Sequence, residues 1–109
     1  MTSRHTIAEL NDLLRETFLT GRIVLTNGIS LLRRADRQAI ITKVRTFDAF
    51  SLNNDPYGEH DFGSIDHDGV GRIFWKIDCY EQNYQCLSSD PSDPKLTSRV
   101  LTIMLAEEY

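Results

Sequence analysis

The sequence predicts an α+β fold: a single small domain over residues 1–109, with helices packed on a mainly antiparallel sheet. Two stretches, about 6–18 and 36–46, repeat apolar residues at helical spacing. Short β-branched runs separate and follow them, two of them joined by an Asp-Gly hairpin signal. The 109 residues, 40% of them hydrophobic, suit one core and are too few for two.

The first helix is announced by Thr6-Ile7-Ala8-Glu9, a capping-box pattern in which Thr and Glu satisfy each other's backbone N–H groups. Ile7, Leu10, Leu14 and Phe18 then form its apolar stripe, and Gly21 ends it. Arg22 to Thr26 reads as a short strand, and Asn27-Gly28 as a turn. Asp36 is placed to cap a second helix that buries Ile40, Ile41, Val44 and Phe47. Its other face carries Arg37, Lys43 and Arg45. Ser51 to Gly63 is rich in Asn, Asp, Pro and Gly and reads as a loop. Phe62 to Asp66 and Val70 to Tyr80 read as strands around the Asp66-His67-Asp68-Gly69 hairpin. Strand alternation turns Ile73, Trp75, Ile77 and Cys79 toward the core and Arg72, Phe74, Lys76 and Asp78 away from it. Trp75, the one tryptophan in the chain, is the expected core anchor. The last segment, 96–106, follows a rigid loop with two Asp-Pro steps. Ser92 or Asp93 as cap, Pro94 at the first position and the helix formers Ala106-Glu107-Glu108 favour a third helix. The run Val100 to Leu105 also fits a buried strand.

Charge is unevenly distributed. Net charge is −4. Residues 1–54 hold eight Lys/Arg against five acids, a balance of +3, and residues 55–109 hold four against eleven, a balance of −7. An acidic half repels phosphates, so direct nucleic-acid binding is not expected. The basic set Arg33, Arg34, Arg37, Lys43 and Arg45 lacks a recognition motif and reads as a solvated helix face. Cys79 and Cys86 form no thiolate zinc pattern. No signal peptide is read at Arg4 and His5, and no apolar run reaches the ~20 residues that span a membrane. The expectation is a cytoplasmic protein with reduced thiols and no cofactor.

The most chemically dense stretch is Asp55-Pro56-Tyr57-Gly58-Glu59-His60-Asp61-Phe62-Gly63. Its carboxylates and histidine suit a hard metal ion, and Asp66, His67 and Asp68 add donors. The spacing matches no established site: aligning Gly69 with the glycine of a calcium loop puts Trp75 where a bidentate Glu is needed. Glu59, His60 and Asp61 also offer a base and an orienting carboxylate, without a nucleophile in a catalytic setting. The bland alternative is a turn in which Asp55 accepts backbone N–H groups. Lys76 and Asp78, two apart on one strand face, are placed to pair. Arg99 is expected to pair with Asp78 or Asp61, tying the last helix to the loop.

These same residues carry a family resemblance. Asp55 to Gly63, Phe74-Trp75-Lys76-Ile77-Asp78, Asp90-Pro91-Ser92-Asp93-Pro94 and Arg99 to Tyr109 resemble the bacterial domain-of-unknown-function family numbered 3768. Leu10-Asn11-Asp12 and Thr26-Asn27-Gly28 resemble its amino-terminal half. At Cys79-Tyr80-Glu81 the family pattern prefers Tyr-Tyr-Asp, which weakens any role for Cys79. The resemblance implies an alphaproteobacterial setting, often on plasmids and other mobile elements, and brings no assigned activity.

Together these observations favour a small acidic binding protein whose protein partner presents a basic surface, such as an inhibitor of a host defence complex of the CRISPR-inhibitor type. Its contact residues are expected among Asp55, Tyr57, Glu59, His60, Asp61, Asp66, Asp68, Lys76, Asp78 and Arg99. The alternative is a metal-dependent or acid–base enzyme centred on the Asp55–Gly63 loop.

Overall fold

Helix α1 (Ile7–Thr17) starts where the capping box places it. The Glu9 N–H donates to Thr6 Oγ1 at 3.0 Å and the Thr6 N–H to Glu9 Oε1 at 3.4 Å. The helix stops at Phe18, which turns left-handed (φ 61°) and donates its N–H to the Leu14 carbonyl. The computed structural model describes residues 6–84 and 86–109. Arg4 and His5, on which the signal-peptide reading rests, lie outside them.

Strand β1 (Arg22–Leu25) leads directly into a single helical turn, α2 (Asn27–Ser30). Asn27-Gly28 is therefore the start of a short helix, where the dipeptide signalled only a turn. Thr26 supplies the carbonyl that accepts the Ser30 N–H at 2.9 Å. Helix α3 (Arg34–Arg45) follows. Its cap is Arg33, and Asp36 lies inside the first turn, bonded to Arg33 and to His67. There its carboxylate still complements the positive helix end.

Strands β2 (Phe62–His67) and β3 (Gly71–Tyr80) form the expected hairpin, one residue longer than read on the β2 side. The Val70 N–H closes the turn onto the His67 carbonyl, with Gly69 at φ 83°. A left-handed residue is needed there, and glycine adopts it without Cβ strain.

The largest correction concerns the last segment. Residues Ser98–Leu105 are strand β4, not helix, and only Ala106–Glu108 make a 3-10 turn. Asp93 does act on backbone donors, its Oδ1 accepting the Lys95 N–H at 2.9 Å. That bond closes a turn, and no helix propagates from it. Strand β4 lies inside the sheet, antiparallel to β3 and parallel to β1. It gives ladder partners to both neighbours, whose backbone groups would otherwise be unpaired.

Among the described residues the sheet order is β1-β4-β3-β2, mixed but mostly antiparallel. Leu14, Ile29, Ile40 and Val44 of the helices pack on Ile73, Trp75, Ile77, Leu101 and Ile103 of the sheet. Each such burial contributes roughly 1.5–3 kcal/mol. Trp75 is fully buried as expected. Gly63 lies opposite it in the ladder, and a Cβ there would collide with the indole nitrogen. The second face of the sheet carries Phe62, Phe74 and Met104, with Tyr109 edge-on to both phenylalanine rings.

Candidate functional site

The Asp55 loop is ordered by its own carboxylate. Asp55 is buried and accepts the backbone N–H of Glu59 (3.1 Å) and of His60 (3.3 Å). This is the turn chemistry read for it, with Gly58 left-handed at φ 64°. His60 is left-handed as well (φ 54°), a conformation a non-glycine residue keeps only when its surroundings hold it. They do so here. His60 Nδ1 lies 3.0 Å from both oxygens of Asp12 on α1, and Nε2 lies 3.6 Å from Asp55 Oδ2. The imidazole also stacks flat on Phe50, with centroids 3.8 Å apart. Asn11 Nδ2 donates to the Glu59 carbonyl at 2.9 Å. The loop is thus fastened to α1 by adjacent residues, Asn11 and Asp12.

A cleft of about 310 Å³ opens beside this cluster, lined by Asp12, Arg15, Arg45, Asp48, Phe50 and His60 among others. His60 Nδ1 is bonded to Asp12, whereas Nε2 lies 3.6 Å from Asp55 Oδ2, beyond hydrogen-bond distance. A general base needs one nitrogen within reach of its proton. Glu59 and Asp61, the expected orienting groups, make no contact with the ring nitrogens, and Asp12 takes their place. No serine or cysteine bonds to His60 among the described residues. Nor do three His, Cys, Asp or Glu side chains among them converge as metal ligands.

A second concavity, about 260 Å³, lies at the other side of the loop. Glu59, Asp61 and Asp78 supply its carboxylates, and Ile7, Ile77, Leu87 and Pro91 much of its apolar wall. The Asp61 carbonyl accepts the Ile77 N–H at 2.8 Å, which holds the loop against β3 beyond the end of β2. Burial, and then the negative charges of Asp55 and Asp78, hold the Asp61 carboxyl above the usual carboxylate range. Neither Glu59 nor Asp61 has a salt bridge among the described residues. Asp78 pairs with Lys76 at 3.0 Å, as its spacing predicts, and this contact raises the Lys76 ammonium above its ordinary value. Cys79 borders the groove half-buried, its thiol pushed up by burial, and both cysteines are free.

The other expected contact residues lie apart. Asp55 is turned inward. Tyr57 is exposed at the loop tip. Asp66 and Asp68 sit at the far end of the hairpin, roughly 17 Å along the strand at about 3.4 Å per residue. Asp66 pairs there with Arg72 at 3.4 Å. His67 is a structural rivet, with Nε2 2.9 Å from Asp36 and Nδ1 3.1 Å from Lys43 Nζ.

Arg99 corrects an expectation. It reaches neither Asp78 nor Asp61. Its Nε donates to Asn11 Oδ1 at 2.9 Å and its Nη2 to the Pro91 carbonyl. Strand alternation places it on the core face beside Cys79, where it ties β4 to α1 and to the Asp-Pro loop. Reading the segment as a helix hid this direction. Asn11, Asp12 and Phe50 were not singled out as site residues. The available signal was Asn11 falling beside Leu10 and Leu14 on the inward stripe of α1, where an unpaired polar side chain is costly.

Comparison with family models gives a match over residues 25–108 to the family described as protein of unknown function (DUF3768). No curated protein and no solved structure matches the chain. The match runs from Leu25, the last residue of β1, to the final turn and includes the Asp55 loop, the groove carboxylates Glu59, Asp61 and Asp78, and Arg99, while α1 lies outside it. The chain belongs to the DUF3768 family.

Proposed function

We propose that this chain is a binding protein whose partner inserts a basic side chain or basic segment into the Glu59–Asp61–Asp78 groove. The observation that carries the reading is the pair Glu59 and Asp61. They face a concavity without a salt bridge, and Asp61 is already strained by burial and by its acidic neighbours. A lysine or arginine entering there relieves that repulsion, while Ile7, Leu87 and Pro91 offer apolar surface to its stem. The −7 balance of residues 55–109 extends the attraction over a longer range and speeds encounter.

The concrete version is an accessory protein of a bacterial mobile element, acting in the cytoplasm. It would inhibit a nucleic-acid-binding defence complex, of the CRISPR-inhibitor type, by occupying a basic groove in place of phosphate. Support for that setting comes from the family resemblance and from charge complementarity. The acid–base reading is weaker, because His60 Nδ1 is taken by Asp12 and no serine or cysteine among the described residues bonds to the ring.

Charge reversal tests the proposal. Glu59→Lys with Asp61→Lys should weaken partner binding by at least about tenfold, about 1.4 kcal/mol. Asp66→Lys, on the distant hairpin end, should change it much less. Equal losses from the two variants would point to net charge alone and remove the groove from the account.

A further inference from the structure

Arg99 is 4% exposed and carries its charge into the interior without a carboxylate. Of the five N–H groups of a guanidinium, one on Nε meets Asn11 and one on Nη2 meets Pro91, both neutral acceptors. The Nη1 group meets no protein acceptor among the described residues, and it is not one of the atoms sealed from solvent without a partner, as Arg15 Nε and Trp75 Nε1 are. The titratable neighbour that bears on its charge is the Cys79 thiol, itself kept neutral by burial. Arginine does not shed its proton to escape such a site, so the charge stays and its desolvation is only partly offset.

Arg99 forms one wall of a small cavity of about 100 Å³. Leu10 and Leu13 of α1, Thr20, Pro94 and Thr97 make the rest. Three of these walls are apolar. Thr20 is exposed and adds a hydroxyl that no described residue occupies. Thr97 is buried and already bonded to the Asp90 carbonyl, so its geometry is fixed. The space holds a few water-sized groups. Phosphate recognition draws on several cations and donors, whereas here one guanidinium stands among aliphatic side chains.

We propose that this cavity binds a carboxylate carried on a short aliphatic stem, with Arg99 as its counter-ion and Leu10, Leu13 and Pro94 around the stem. Such a group is supplied either by a small organic acid or by the chain terminus of a bound peptide. The site is separate from the acidic groove, across the Asn11–Arg99–Pro91 link, and does not depend on the basic-partner reading.

The test is a titration of isotope-labelled protein, followed by heteronuclear NMR at the Arg99 Nε–H and at the Leu13 and Thr97 amides. Sodium butyrate is compared with butyramide, at constant ionic strength set by sodium chloride. An N-acetylated tripeptide ending in leucine is compared with its carboxamide. The expected result is saturable shifts at all three signals with the carboxylates and none with the amides. A peptide acid at least about tenfold tighter than butyrate assigns the natural ligand to a chain terminus. Comparable affinities assign it to a free acid. Arg99→Gln should abolish the response. Leu13→Phe, at a partly exposed wall with Arg99 intact, should weaken it by about tenfold or more if the folded spectrum is retained. Shifts that fail to saturate, that appear equally with the amides, or that persist in a folded Arg99→Gln protein overturn the proposal.

Discussion

At the scale of single residues, the groove carries a stability cost. The Asp61 carboxyl is raised by burial, so the folded chain holds its proton to higher pH than the unfolded chain does. The penalty is absent below the ordinary carboxylate range and fully developed above the raised folded value. Asp61→Asn therefore raises the urea midpoint at pH 7 and leaves it nearly unchanged near the acid end. Under the proposed function the same variant is expected to weaken partner binding. A gain of stability with a loss of binding is the signature of a charge kept for use. Urea titrations at the two pH values, alongside one binding measurement, check it. His60 plays a different part. Its left-handed backbone, its Phe50 stack and its two carboxylate contacts fix the direction of the peptide that carries Glu59 and Asp61.

At the scale of elements, strand β4 decides both the core and the position of Arg99. Its alternation puts Leu101 and Ile103 inward and leaves Leu96, before the strand, half exposed. Leu101→Ala should cost about 2–5 kcal/mol. Leu96→Ala should cost under about 0.5 kcal/mol, since it lies on the surface. A helix over 96–106 would bury both, so the two denaturation midpoints distinguish the arrangements. The C-terminal turn is latched by Glu108, which accepts from Thr26 Oγ1 (2.6 Å), the Gly28 N–H (3.0 Å) and the Leu105 N–H (2.8 Å). The Thr26 bond, followed by the Leu105 backbone bond, holds its carboxyl below the usual glutamate value. That contribution is present above the ordinary glutamate range and fades as pH falls through the depressed value. Glu108→Gln is accordingly less stable than the parent at pH 7, and the difference disappears in acid. Element formation was legible in the sequence where its cause is local. The Thr6–Glu9 box and the Asp-Gly turn are examples. β4 was not legible, because Asp93 and Pro94 mimic a helix start while the vacancy between β1 and β3 is created by residues far away. The His60–Asp12 and Arg99–Asn11 contacts, 48 and 88 residues apart, depend on that same tertiary arrangement.

At the scale of the whole molecule, the chain separates its charges along the sequence, and the fold turns part of the acidic half into a surface feature. Glu59, Asp61 and Asp78 gather in one groove, while Asp66 and Asp68 remain at the distant hairpin end. No described helix is long and apolar enough to cross a membrane. The direct test is capture of partners from a bacterial lysate by the tagged protein and by its Glu59→Lys, Asp61→Lys variant, at about 0.05 M and about 0.5 M salt, a range over which the screening length falls severalfold. The account predicts a stoichiometric basic partner held by the parent at low salt, released at high salt and lost from the variant. A partner retained equally under all of these conditions, or none retained by the parent at either salt, would contradict it.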